Sequence, residues 1–187
     1  TFALDGLEVS LYDIDEDTLA ESEDRVRSVV DTLSEAGKVS TKKADAAASR
    51  ISRTTSLPDA VTDTDFVTEA VAEDLDIKQK VFADLEEHVP EDAILATNTS
   101  GLSITEIANA TSTPSRVVGT HWFNPPYVVP LVEVIRGDET AEAVVETTYD
   151  FFSTMDKTPV RVEKEVPGFI GNRIQAAMIY EAFSLLD

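Results

Sequence analysis

Glu8-Val9-Ser10-Leu11-Tyr12-Asp13 is a short alternating run that ends on an acid. Alternation over so few residues is the pattern of a half-buried strand. A helix entry follows at once. Asp15 offers an N-cap, and Glu16 and Asp17 fall in the first turn, where the helix dipole favours negative charge. Leu19, Val26, Val30 and Leu33 then recur at helical spacing up to Gly37, a residue suited to ending a helix. The unit is therefore strand, acid, helix, and it decides how the rest of the chain is read.

Working outward, a second helix is expected from Ser40 to about Arg50. Phe66 to Ala72 reads as a buried strand, and Ile77, Val81 and Leu85 mark one face of a helix that ends before Pro90. Ile94-Leu95-Ala96-Thr97 is a strand, and Ser103 with Glu106 forms a capping box that opens a short helix through Ile107 and Ala110. Val117-Val118-Gly119-Thr120 and Leu131 to Ile135 are strands, Val144, Thr148, Phe151 and Met155 define a helix, and Pro159 to Val162 is a last strand. Strands alternating with helices give an α/β fold, doubly wound, with a mostly parallel sheet. After Pro167-Gly168 an apolar helix begins through Ile170, Ile174, Ala177 and Glu181. It has little partner surface of its own. The domains are therefore placed at residues 1–166 and, from 167 to 187, the start of a second, helical domain.

Composition narrows the function classes. No apolar run approaches the roughly 18 residues of a transmembrane helix, so no membrane partner is expected. The absence of Cys removes disulfides and thiol chemistry, and no metal-ligating cluster stands out. Together with an N-terminus unlike a signal peptide, this points to a cytoplasmic location. There are 36 acidic residues against 15 basic ones, a net charge of -21, with no basic patch to neutralise phosphates, so nucleic acid is not an expected partner. The acids are dispersed, which indicates a folded chain with a charged surface. Such self-repulsion is tolerable in concentrated salt, where the Debye length is about 3 Å at 1 M. A halophilic cytoplasm is the expectation, and an ordinary acidic protein the alternative.

An acid closing an early strand of a doubly wound fold can accept hydrogen bonds from the ribose of a dinucleotide, about 20 residues after the start of a Gly-rich phosphate loop. Asp13 fits that place, although it could equally be a turn or cap residue. Its acidic neighbours, Asp15 to Asp17, would repel the extra phosphate of NADP, so the cofactor should be NAD. No G-x-G-x-x-G occurs in the chain. Counting back from Asp13 puts it ahead of Thr1, with Thr1 to Asp5 as the tail of the phosphate-binding helix and Gly6 as its C-cap. The chain is expected to lack the first strand and that loop, and to stop inside a helix at Asp187.

Two histidines are present. His88 ends an acidic helix in Glu86-Glu87-His88-Val89-Pro90 and reads as a solvated terminal residue. His121 follows an apolar strand in Gly119-Thr120-His121-Trp122-Phe123-Asn124-Pro125, where an open α/β sheet binds ligands. Glu133 sits inside the apolar run Leu131-Val132-Glu133-Val134-Ile135, and a lone acid there needs a partner. His121 is the candidate. The pair could be a structural ion pair. It could also be an acid/base, because oxidising a secondary alcohol removes the hydroxyl proton as hydride leaves carbon, and a carboxylate on the far ring nitrogen fixes the tautomer.

Asn98-Thr99-Ser100-Gly101-Leu102, His121-Trp122-Phe123-Asn124-Pro125, Leu131-Val132-Glu133-Val134-Ile135 and Pro167-Gly168-Phe169-Ile170-Gly171-Asn172-Arg173, in that order, resemble the core of the L-3-hydroxyacyl-CoA dehydrogenase family, including its 3-hydroxybutyryl-CoA members. The resemblance runs over essentially the whole chain. It implies a Rossmann-like domain with NAD, a 3-hydroxyacyl-CoA substrate and a homodimeric parent protein. It implies His121 as acid/base with Glu133 orienting it, Ser100 on the reacting oxygen, and Asn172 on the acyl oxygen, with Asn124 lining the same cleft. It also implies Asp13, Glu73, Lys78 and Asn98 as cofactor-site residues. Two alternatives remain: a related dehydrogenase of free hydroxy acids, such as a sugar-acid 3-dehydrogenase, and a non-catalytic fragment or interaction domain without the phosphate loop.

Overall fold

The computed structural model describes residues 1–186. They form an α/β chain that divides into two compact units, residues 1–64 with 88–90, and residues 65–87 with the described residues from 91 onward. The first unit begins with a 3-10 turn, Phe2–Asp5, closed by Gly6 in the left-handed region (φ 95°), where the lack of a Cβ removes the strain. Strand β1 (Val9–Tyr12) runs parallel to β2 (Ile51–Thr54), and helices α1 (Glu16–Glu35), α2 (Thr41–Ser49) and α3 (Leu57–Val61) belong to the same unit. The caps are those the sequence offers. Asp15 accepts from Asp17 N at α1, and Ser40 accepts from Lys43 N at α2. β2 and α3 go beyond the elements expected from the sequence. Ile51-Ser52-Arg53-Thr54 has one apolar residue, and α3 is a single capped turn opened by Ser56 with Pro58 in its first turn.

The second unit holds a five-stranded sheet in the order β3-β4-β5-β6-β7: Phe66–Glu69, Ile94–Thr97, Val117–Trp122, Leu131–Ile135 and Thr158–Val162. Only the β5–β6 pairing is antiparallel. Helices α4 (Leu75–Glu86), α5 (Ile104–Ala108), α6 (Glu142–Thr154) and α7 (Gly171–Ser184) complete it. The core is the apolar faces of β4, β5 and β6, with Phe82 of α4, Ile104 and Ile107 of α5 and Phe152 of α6 all fully buried. The strand expected over Phe66 to Ala72 stops at Glu69. The Glu69 side chain turns back to take the Val71 amide at 2.6 Å, and Asp74 then caps α4. β5 in turn runs on through His121 to Trp122.

Gly119 is required by the layer contact. A Cβ there would meet Ile104 Cδ1 at 2.6 Å and Ile135 Cβ at 3.0 Å, so α5 could not lie this close to β5. Glu165, after β7, accepts from Ser103 Oγ (2.8 Å) and Thr105 N (3.1 Å), which fastens the segment leading to α7 onto the start of α5. α7 itself buries none of its side chains and exposes Ile174, Met178, Tyr180 and Phe183. Among the described residues no helix is long and apolar enough to cross a membrane.

Candidate active site

His121 and Glu133 are register partners on the antiparallel strands β5 and β6, so the pair is set by the sheet itself. His121 Nδ1 lies 2.7 Å from Glu133 Oε2. Both side chains are buried, at 5% and 2% exposure. An ionised Glu133 makes Nδ1 the protonated nitrogen and leaves Nε2 as the site that takes or gives a proton. The second oxygen of Glu133, Oε1, accepts the backbone N–H groups of Ile170 and Gly171, both at 2.9 Å. These are donors at the start of α7 that have no partner inside the helix. One carboxylate thus orients the imidazole and holds the N-terminus of α7, where the helix dipole favours its charge. Phe123 and Phe169 pack on the imidazole, with centroids at 4.7 and 5.6 Å.

Gly171 makes this closeness possible. A Cβ on it would lie 2.5 Å from Phe123 Cζ. Gly171→Ala should therefore push Phe123 and the start of α7 apart, loosen the two amides on Glu133 and disturb the imidazole. Overpacking of this kind costs about 1–3 kcal/mol. The expected result is a lower melting temperature together with a lower turnover. Wild-type values of both would show that the ring simply moves aside.

The other site residues expected from the sequence divide into those the structure gathers and those it places apart. Asn172 Nδ2 donates to the Ser100 carbonyl at 3.1 Å, which brings the two expected substrate residues together. Asn98 Oδ1 accepts from Trp122 N at 3.1 Å, tying the end of β4 to the end of β5 one residue past His121. Asn124 is exposed on the loop after β5. Glu73 accepts from Thr99 Oγ1 and Ser100 N. Lys78 is fully buried and bonded to Glu69, so any part it plays in holding a cofactor runs through its neighbours. Asp13 belongs to the first unit, just past the carboxyl end of β1 and half-buried, with Oδ1 accepting Asp15 N at 3.0 Å. An acceptor-only side chain at the carboxyl end of a parallel strand fits a ribose diol. Glu69, Thr97 and Thr99 were not anticipated. Glu69 carries the same signal that marked Glu133, an acid joined to an apolar strand.

Residues 1–166 match the family described as "3-hydroxyacyl-CoA dehydrogenase, NAD binding domain". The chain belongs to the 3-hydroxyacyl-CoA dehydrogenase family. It is 47% identical over 137 residues to a 3-hydroxybutyryl-CoA dehydrogenase of Clostridioides difficile, covering 73% of this chain and 48% of that one. It is 36% identical over 189 aligned residues to an L-carnitine dehydrogenase of Streptomyces coelicolor, covering 99% and 57%. Among solved structures, (S)-3-hydroxybutyryl-CoA dehydrogenase from Ralstonia eutropha superposes with a TM-score of 0.92 at 38% identity, over 98% of this chain and 64% of that one. The chain spans about half the length of the curated relatives it matches. The dehydrogenase fold is thus the Rossmann-like one expected, and NAD is the cofactor of the matched domain.

Proposed function

We propose that the protein carrying this chain oxidises 3-hydroxyacyl-CoA thioesters to 3-oxoacyl-CoA with NAD. The observation that carries the reading is the buried His121–Glu133 pair with Glu133 fully engaged on both oxygens. NAD, when bound, supplies the acceptor for the hydride that leaves C3. His121 Nε2 takes the hydroxyl proton as the C3–O bond becomes a carbonyl, and Glu133 stabilises the imidazolium that results. Ser100 donates to the reacting oxygen, and the Asn172 amide holds the acyl oxygen. Asp13 is assigned to the adenosine ribose, with Asn98 and Glu73 beside the cofactor site and Asn124 at the mouth of the substrate cleft. The apolar face of α7 is assigned to a helical second domain and a homodimer. The net charge of -21 suits a cytoplasm of high ionic strength, which also screens the phosphates of CoA.

A second reading, a free hydroxy acid as substrate, is favoured by the likeness to L-carnitine dehydrogenase over nearly the whole chain. The test is NADH oxidation by the full-length protein with acetoacetyl-CoA against free 3-oxo acids, at low ionic strength and in about 1 M salt. Preference for acetoacetyl-CoA, with stability rising in salt, is the expected outcome. Preference for the free acids would replace the thioester reading with the second one. Full stability at low ionic strength would remove the assignment to a saline cytoplasm.

A further inference from the structure

We propose that Glu73 is a positioning residue for Ser100, whose amide it ties to the buried hydroxyl of Thr99. The inference rests on the reading of Ser100 as the hydroxyl that meets the reacting oxygen. Glu73 Oε1 gathers the Thr99 hydroxyl at 2.6 Å and the Ser100 backbone N–H at 2.7 Å. Thr99 is fully buried, and its hydroxyl oxygen accepts the N–H groups of Gly101 (3.3 Å) and Leu102 (2.9 Å). The amide of Ser100 is thus fixed directly by the carboxylate, and the next two amides are fixed through Thr99. The other oxygen of Glu73 faces Lys78 Nζ at 3.6 Å. Lys78 Nζ lies 2.8 and 3.0 Å from the two oxygens of Glu69. Glu69 is held in turn by Val71 N and by Thr97 Oγ1, both at 2.6 Å. The contacts run from the end of β3, through α4, to the turn after β4, and they end on Ser100.

Magnitudes say which of these contacts holds Glu73. Its side chain is 45% exposed, and a half-exposed ion pair at 3.6 Å contributes little by itself. The two hydrogen bonds from the turn are charge-assisted, about twice as strong as neutral ones. Burial acts to raise the Glu73 carboxyl, but the hydrogen bonds from Thr99 and Ser100 and the charge of Lys78 outweigh it, so it lies below the usual carboxylate range. A depressed carboxyl keeps its contribution as pH falls until the lowered value is crossed, so the tether is intact throughout the neutral range. One oxygen of Glu73 is engaged by the turn and the other is turned to Lys78. Ser100 needs such support because it is exposed, and a displacement of about 1 Å at a reacting group can cost about 10²-fold in rate.

The test compares Glu73→Ala with Glu73→Gln in the full-length protein. Alanine should lower kcat by about 10–100-fold even at saturating NAD. Glutamine keeps an acceptor oxygen for Thr99 and Ser100 and should recover most of the loss. Hydrogen exchange at the Ser100 amide should quicken in the alanine variant and stay slow in the glutamine variant. In a Ser100→Ala background, Glu73→Ala should have no further effect on kcat, because both changes act through one hydroxyl. A kcat unchanged at saturating NAD would overturn the proposal, as would unchanged exchange at Ser100. If the parent protein turns over no hydroxyacyl substrate, the functional reading fails separately. Exchange then decides the tether: faster in the alanine variant supports it, unchanged overturns it.

Discussion

Replacing His121 by Gln should lower the turnover of the full-length protein by about 10²–10⁴-fold, the usual contribution of a positioned acid/base. Gln is the informative substitution because of what surrounds the ring. Its amide N–H can still donate to Glu133 Oε2, now 2.7 Å from His121 Nδ1, so the buried carboxylate keeps a partner and the start of α7 keeps its two hydrogen bonds. The fold should therefore survive, with a melting temperature close to the parent's. Proton transfer should not survive, since an amide neither takes nor gives a proton near neutral pH. His121→Ala is the less clean experiment. It leaves Glu133, 2% exposed, facing a cavity, so loss of activity would be mixed with loss of structure. Near-normal turnover in a folded His121→Gln variant would remove His121 from the chemistry and return the pair to a purely structural role.

That the dyad could be read before the structure follows from one physical rule. A carboxylate inside Leu131-Val132-Glu133-Val134-Ile135 cannot be left unpaired, and His121, at the end of the preceding apolar strand, was the candidate. What the sequence could not supply was register. Antiparallel pairing of β5 with β6 sets the two residues opposite each other, whereas a slip of one residue would put them on opposite faces. The second half of Glu133's role, its grip on Ile170 and Gly171, was invisible because it involves backbone amides that carry no sequence mark. The end of β3 was misjudged for a related reason. Val71 continues the apolar run, but the carboxylate of Glu69 takes its amide out of the ladder. β2 went unread because Ile51 is its one apolar side chain. Lys78 was legible only as a position in a resemblance. The apolar spacing puts Ile77 rather than Lys78 on the inner face of the helix, yet Lys78 is fully buried while Ile77 is 45% exposed.

That burial makes Lys78→Met the substitution expected to cost the most stability. The change removes the only cation in contact with Glu69 among the described ion pairs and leaves a carboxylate 1% exposed beside the Thr97 hydroxyl and the Val71 amide. Breaking a buried pair by removing one partner typically costs 3–5 kcal/mol, roughly a third to a half of the stability of an ordinary domain. Urea unfolding of the full-length protein should show a midpoint lowered accordingly. The same reasoning predicts recovery when both charges go. In Glu69→Gln/Lys78→Met, the Gln oxygen still accepts from Val71, its amide N–H can donate to the Thr97 hydroxyl, and no net charge stays buried. The double variant should be markedly more stable than the single one, a coupling that only contacting residues produce. A single variant as stable as the parent would mean that water or rearrangement reaches Glu69 at little cost. The double variant also separates stability from alignment. Refolded but without the Lys78 charge, it leaves Glu73 with only its bonds to Thr99 and Ser100. Any remaining loss in kcat then measures how far the buried pair acts on the catalytic turn rather than on the fold.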